Sequence, residues 1–80
     1  MISFLLFAGF TLNAQETKSR ADELFYQYQY RQAITEYLKE RDKNPLSSQQ
    51  MLNLADAYFK TGNKEQAGTI YLEVFKKDSN

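Results

Sequence analysis

Apolar residues recur with a helical period along most of the chain. Ala21 and Leu24 lead into Ala33, Ile34, Tyr37 and Leu38, which share one face of a 3.6-residue repeat. The pattern predicts four helices, near Glu16 to Tyr26, Arg31 to Lys43, Ser48 to Lys60 and Lys64 to Lys77. The second also turns the stem of Arg41 toward its packed face. It stops at Asn44-Pro45, because the residue before a proline is pushed out of the helical region. Ser47 with Gln50 three residues on is a capping box for the third helix, and Asn63 with Gln66 repeats the arrangement for the fourth. Gly62 supplies a left-handed residue just past the third helix.

One stretch looks at odds with this pattern. "ELFYQYQYRQAI", residues 23–34, crowds Phe25, Tyr26, Tyr28 and Tyr30 together, and "QYQY" alternates like a strand. Four residues of alternation do not outweigh the helical pattern on either side. An internal repeat explains the rings better. Residues 20–45 align with 54–79 without a gap at an offset of 34. The identical pairs are Ala21/Ala55, Asp22/Asp56, Phe25/Phe59, Gln32/Gln66, Ala33/Ala67, Thr35/Thr69, Tyr37/Tyr71, Leu38/Leu72 and Lys43/Lys77. A period near 34 made of two helices is a solenoid signature, in which each unit buries its apolar face on the next. Alanine at 21, 33, 55 and 67 lets the two helices of a unit approach closely.

These residues resemble the tetratricopeptide repeat (TPR). The first unit supplies Ala21, Leu24, Tyr30, Ala33, Tyr37 and Pro45 at the family's positions. The second supplies Leu54, Ala55, Tyr58, Gly62, Ala67 and Tyr71. Tyr28 stands where the family has glycine, Glu40 and Val74 where it has a small residue, Lys64 where it has an aromatic, and Ser79 where it has the terminal proline. The resemblance implies an all-α fold of two helix hairpins, residues 15–46 and 47–80. It also implies a concave wall lined by the first helix of each unit. Carried over by position, that wall holds Lys18, Asp22, Phe25 and Tyr26, then Gln49, Leu52, Asp56, Phe59 and Lys60. Paired stripes of carboxylates and rings there would suit a basic or mixed apolar segment. The family's clamp for a C-terminal carboxylate is disfavoured, because Asp22 and Asp56 replace its asparagines.

The first fifteen residues, "MISFLLFAGFTLNAQ", carry no charge. Their apolar run from Ile2 to Phe10, then Ala14-Gln15, reads as a signal peptide over residues 1–14, cut before Gln15. Fifteen helical residues reach only about 22 Å, short of the roughly 30 Å hydrocarbon core, so an integral span is not expected. No Lys or Arg precedes the apolar run, and Leu12 is large for its distance from the cut. A start that has lost a few residues accounts for the missing charge.

Composition narrows the chemistry. Ten Lys and Arg balance ten Asp and Glu, and no basic block forms, so nucleic acid is not an expected partner. There is no Cys, His or Trp. Imidazole or thiolate metal sites, His- or Cys-based catalysis and a cysteine lipid anchor are therefore impossible. No phosphate loop or nucleophile–base pair is present. The expectation is a non-catalytic protein or peptide binder with no cofactor, metal or small-molecule substrate.

The "NAQ" cut followed by "NLADAYFKTGN" is also similar to the front of Bacteroidetes-type envelope proteins. In those, TPRs precede a peptidoglycan-binding domain like that of outer membrane protein A (OmpA). That resemblance implies an exported scaffold in the periplasm or at the outer membrane, with wall binding left to a further domain. The alternative is a structural spacer or self-association element of an envelope secretion or motility complex. Two units are few for a solenoid, and Ile70, Val74 and Phe75 have no third unit to cover them. The chain therefore reads as a fragment of a longer one.

Overall fold

The computed structural model describes residues 19–79, which form four helices and, among the described residues, no strand. Helix α1 spans Arg20–Tyr26, α2 Tyr30–Lys43, α3 Ser48–Lys60 and α4 Lys64–Ser79. The protein is all-α over this range. No helix among the described residues is long and apolar enough to cross a membrane. The expected signal peptide, residues 1–14, and Lys18 lie outside the described residues.

Each boundary has a local cause. Ser19 is extended, and its Oγ accepts a hydrogen bond from the Asp22 backbone N–H at 3.1 Å, so α1 begins at Arg20 rather than near Glu16. Helix α2 starts one residue earlier than the pattern predicts and ends at Asn44, extended before Pro45. Helix α3 has the predicted bounds, and both bonds of the Ser47–Gln50 capping box form. Leu46 and Met51 occupy the two positions of a hydrophobic staple around that cap, and both join the core. The Asn63–Gln66 pair does not form. The Asn63 amide donates to Thr61 Oγ1 at 3.0 Å instead.

The turns inside the two units are the same turn. Tyr28 N–H donates to Phe25 O at 3.0 Å and Gln29 N–H to Leu24 O at 2.9 Å. Thirty-four residues on, Gly62 N–H donates to Phe59 O at 3.1 Å and Asn63 N–H to Tyr58 O at 2.8 Å. This paired pattern requires a left-handed residue after the helix. Gly62 takes it at φ 89°, and Tyr28 takes it at φ 66°. A side chain in that region costs about 1–2 kcal/mol. Replacing glycine by tyrosine therefore leaves the turn intact and strains its backbone.

Helix α1 packs on α2, α2 on α3, α3 on α4, and α1 also touches α3. The two hairpins thus lie side by side. Ala21, Ala33 and Ala55 are completely buried and Ala67 nearly so, as their helix-crossing role demands. Tyr37 and Leu54 are the largest fully buried side chains, with Leu24, Leu46 and Ile70 around them. Ile70 and Val74 are only 6% and 5% exposed, against the expectation that they lack cover. Ile70 joins the core cluster around Tyr37 and Leu54. Phe75 is open as expected, together with Leu72 and Tyr71. Arg41 remains exposed rather than packing its stem inward.

The shared turn makes a paired prediction. A Cβ on Gly62 would meet nothing within 4 Å, so Gly62→Ala should cost only the backbone strain, about 1 kcal/mol. Tyr28→Gly should relieve that strain and leave stability unchanged or raised by less than about 1 kcal/mol, because glycine also gains freedom in the unfolded chain. Urea melts of both variants check the pair. A clear loss in Tyr28→Gly would show that the tyrosine ring, not the turn, matters there.

Candidate functional site: the aromatic end of the stack

The predicted site residues divide into two groups. Asp22 and Asp56 do not form a free carboxylate stripe. Tyr37 Oη donates to Asp22 Oδ1, and Tyr71 Oη donates to Asp56 Oδ1 at 3.3 Å. Both pairs tie the first helix of a unit to its second, at the same separation of 15 residues. Both aspartates are half-buried. Their position on the chain is as expected, but one oxygen of each is committed to the fold.

The bond in the first unit continues into the second. Asn53, only 5% exposed, donates from Nδ2 to Tyr37 Oη at 3.1 Å, and Gln49 Nε2 donates to Asn53 Oδ1 at 3.1 Å. Gln49, expected to meet a partner, is exposed but spends a donor supporting this chain of bonds. Burial, reinforced by the Asp22 carboxylate, pushes the Tyr37 hydroxyl above its ordinary value of 10.0, while the bond from Asn53 works the other way. Burial and Asp56 raise Tyr71 as well.

A second cluster closes the opposite end. Glu40 Oε2 accepts from Ser19 Oγ at 2.7 Å and from Ala21 N–H at 3.4 Å, and its Oε1 accepts from Gln50 Nε2 at 3.4 Å. Its carboxylate thus sits beside the positive ends of α1 and α3, which explains a glutamate where a small residue is expected. A hollow of about 190 Å³ adjoins it, lined by Lys43, Asn44, Pro45 and Leu46 together with Glu40 and Gln50.

The predicted aromatic residues gather where α1 ends and α2 begins. Phe25 is half-buried and packs edge-on to Tyr26 and Tyr30, at 5.4 and 5.6 Å between ring centres. Tyr30 meets Tyr28 at 6.2 Å, and Lys60 Nζ lies 5.9 Å from the Tyr30 ring centre. The end of α3 thereby joins the cluster. Phe59 carries Lys64 Nζ over its face at the same distance of 5.9 Å. Tyr26 and Phe59 are 62% and 51% exposed, whereas Leu52 is half-buried. Tyr26, Phe59 and Lys60 are therefore the predicted residues best presented to a partner. Sequence reasoning missed Tyr30 and Lys64, whose contacts are with these rings and cations, and Asn53 of the separate bond chain to Tyr37.

Lys64 lies over the exposed Phe59 ring and Lys60 over the half-buried Tyr30 ring, so at these two rings the surface favours an apolar or aromatic segment carrying an acidic group over a basic one. Among the described residues no three carboxylates converge on a cation-sized space. A second hollow, about 230 Å³, is lined by Arg41, Tyr58, Gln66, Thr69, Ile70 and Glu73 and lies apart from the predicted residues.

Removing the central hydroxyl tests the bond chain. Tyr37→Phe strips Asn53 of its buried acceptor and should cost about 1–3 kcal/mol at neutral pH. Above about pH 10 the unfolded tyrosine ionises while the folded one holds its proton, so the unfolded state binds fewer protons and stability falls as pH rises. Urea melts between neutral and alkaline pH should show a shallower alkaline decline in Tyr37→Phe than in the wild type. Compared with known proteins, the chain matches no family model, no curated protein and no solved structure.

Proposed function

We propose that the chain is a non-catalytic protein–protein interaction scaffold, a TPR-type module of an exported bacterial envelope protein. In this reading it is the front part of an OmpA-like protein whose further domain holds the cell wall. The observation that carries it is the repetition of one helix–turn–helix unit at an offset of 34. The left-handed turn and the Asp–Tyr bond recur in both copies. A stack of such units offers its first helices to another chain, and here those helices present Tyr26, Phe59 and Lys60. The partner is a protein or peptide segment with an aromatic or apolar residue next to a carboxylate. Export rests on the uncharged apolar start ending at Ala14-Gln15.

Two experiments check the two halves of the proposal. Peptide-display selection against the full chain should enrich aromatic residues adjoining Asp or Glu. Binding of the selected peptides should weaken at least tenfold, about 1.4 kcal/mol, with Phe59→Ala or Lys60→Glu. A spacer role instead predicts no selected motif and no sensitivity to either substitution. For export, mass spectrometry of the product recovered from the periplasm should give Gln15 as the first residue, and retention of residues 1–14 would reject the signal-peptide assignment.

A further inference from the structure

The two hairpin turns have one backbone shape and different residues at its strained point. Gly62 holds it at φ 89° and Tyr28 at φ 66°. The bonds that close the turns match, from Tyr28 N–H to Phe25 O at 3.0 Å and from Gly62 N–H to Phe59 O at 3.1 Å. Such a turn is served best by glycine, or by asparagine, and a bulky residue there is an outlier. Tyr28 gains little from burial in return. At 77% exposure it is the most open of the large apolar and aromatic side chains described. Its aromatic contact is edge-on to Tyr30 at 6.2 Å, close to the roughly 7 Å limit of such pairs.

The rings around it form a row. Tyr26 meets Phe25, Phe25 meets Tyr30, and Tyr30 meets Tyr28. The inner two are half-buried and the outer two are open, with Lys60 Nζ over the inner Tyr30. In the second unit Gly62 and Lys64 stand at the positions of Tyr28 and Tyr30, so the row is no part of the repeated hairpin. Strain kept where the fold does not need it marks a functional residue. We infer that Tyr28 is a specificity-determining residue of the peptide-binding surface proposed above, and that the peptide carries two apolar or aromatic residues bracketing an acidic one. The outer rings of Tyr26 and Tyr28 take the two apolar residues, and the Lys60 ammonium takes the carboxylate between them. The turn bonds fix the backbone of Tyr28, and Gln29 Nε2 donates across it to Gln27 Oε1 at 3.1 Å, so the ring is presented with little ordering left for binding to impose.

The test uses the full 80-residue chain and the peptides selected on it by display. Their sequences should hold aromatic or apolar residues on both sides of Asp or Glu. Tyr28→Gly and Tyr28→Asn keep a residue suited to the left-handed turn and remove the ring. Each should hold or raise the urea midpoint while lowering peptide affinity at least tenfold, and Tyr28→Phe, which keeps the ring, should bind as the wild type does. A purely structural ring would instead lower the urea midpoint in both variants, and that result would overturn the inference. Affinity lost with Phe59→Ala and unchanged with Tyr28→Gly would reject the role of Tyr28 and leave the peptide surface standing, whereas failure to select any binding peptide would reject both. Concentration-dependent dimerisation abolished by Tyr28→Gly would also overturn it, by giving the row of rings to a second copy.

Discussion

The fold turns on a single buried hydroxyl. Tyr37 lies on α2, its Oη donates to Asp22 on α1, and it accepts from Asn53 on α3. Three helices from two units meet at this atom with donor and acceptor capacity both used. No buried side-chain polar atom among the described residues is left without a partner. A hydroxyl buried without partners would offset much of what its ring returns by burial, so the aromatic core position and the two polar residues form one device. The device also sets register, because Asn53 meets Tyr37 only when α3 is correctly positioned along α2.

Charge plays the smaller part. Twenty charged side chains are present, yet the one ion pair seen among the described residues is Lys39–Glu36 at 3.4 Å on the surface of α2. Such exposed pairs contribute little. Besides Asp22 and Asp56, which accept from Tyr37 and Tyr71, the charged group with a structural task is Glu40, which accepts from a hydroxyl, a backbone N–H and a carboxamide at the starts of α1 and α3. With Tyr37 inside and Glu40 at the rim, the two units are joined by directional bonds as well as by apolar contact.

The two outer helices differ in chemistry. Helix α1 carries Ser19, Arg20 and Glu23 at the positions where α3 carries Asn53, Leu54 and Ala57, a polar set in place of a buried one. Helix α4 leaves Tyr71 and Leu72 exposed where their counterparts Tyr37 and Leu38 on α2 are buried and half-buried, and Phe75 is exposed as its counterpart Arg41 is. The stack is thus polar at one side and apolar at the other. The aromatic end, with Lys60 and Lys64 over Tyr30 and Phe59, is a third kind of surface and mixes rings with cations.

Local chemistry made much of this legible from the residues alone. The Asn44-Pro45 stop, the Ser47–Gln50 capping box, the left-handed Gly62 and the buried alanines follow from spacing and residue type, because each is decided within a few neighbours. The matched Asp22/Tyr37 and Asp56/Tyr71 pairs were visible too, since both recur 15 residues apart, but spacing does not say that hydroxyl meets carboxylate. Tertiary structure decided that aspartates placed on an open wall turn to their own hairpin. It also placed Glu40 across to α1 and α3, brought Asn53 to Tyr37, and covered Ile70 and Val74 while leaving Leu72 bare. The reason is physical: helical period fixes which residues share a face, whereas what a face meets depends on the axis and register of another helix, distant in the chain.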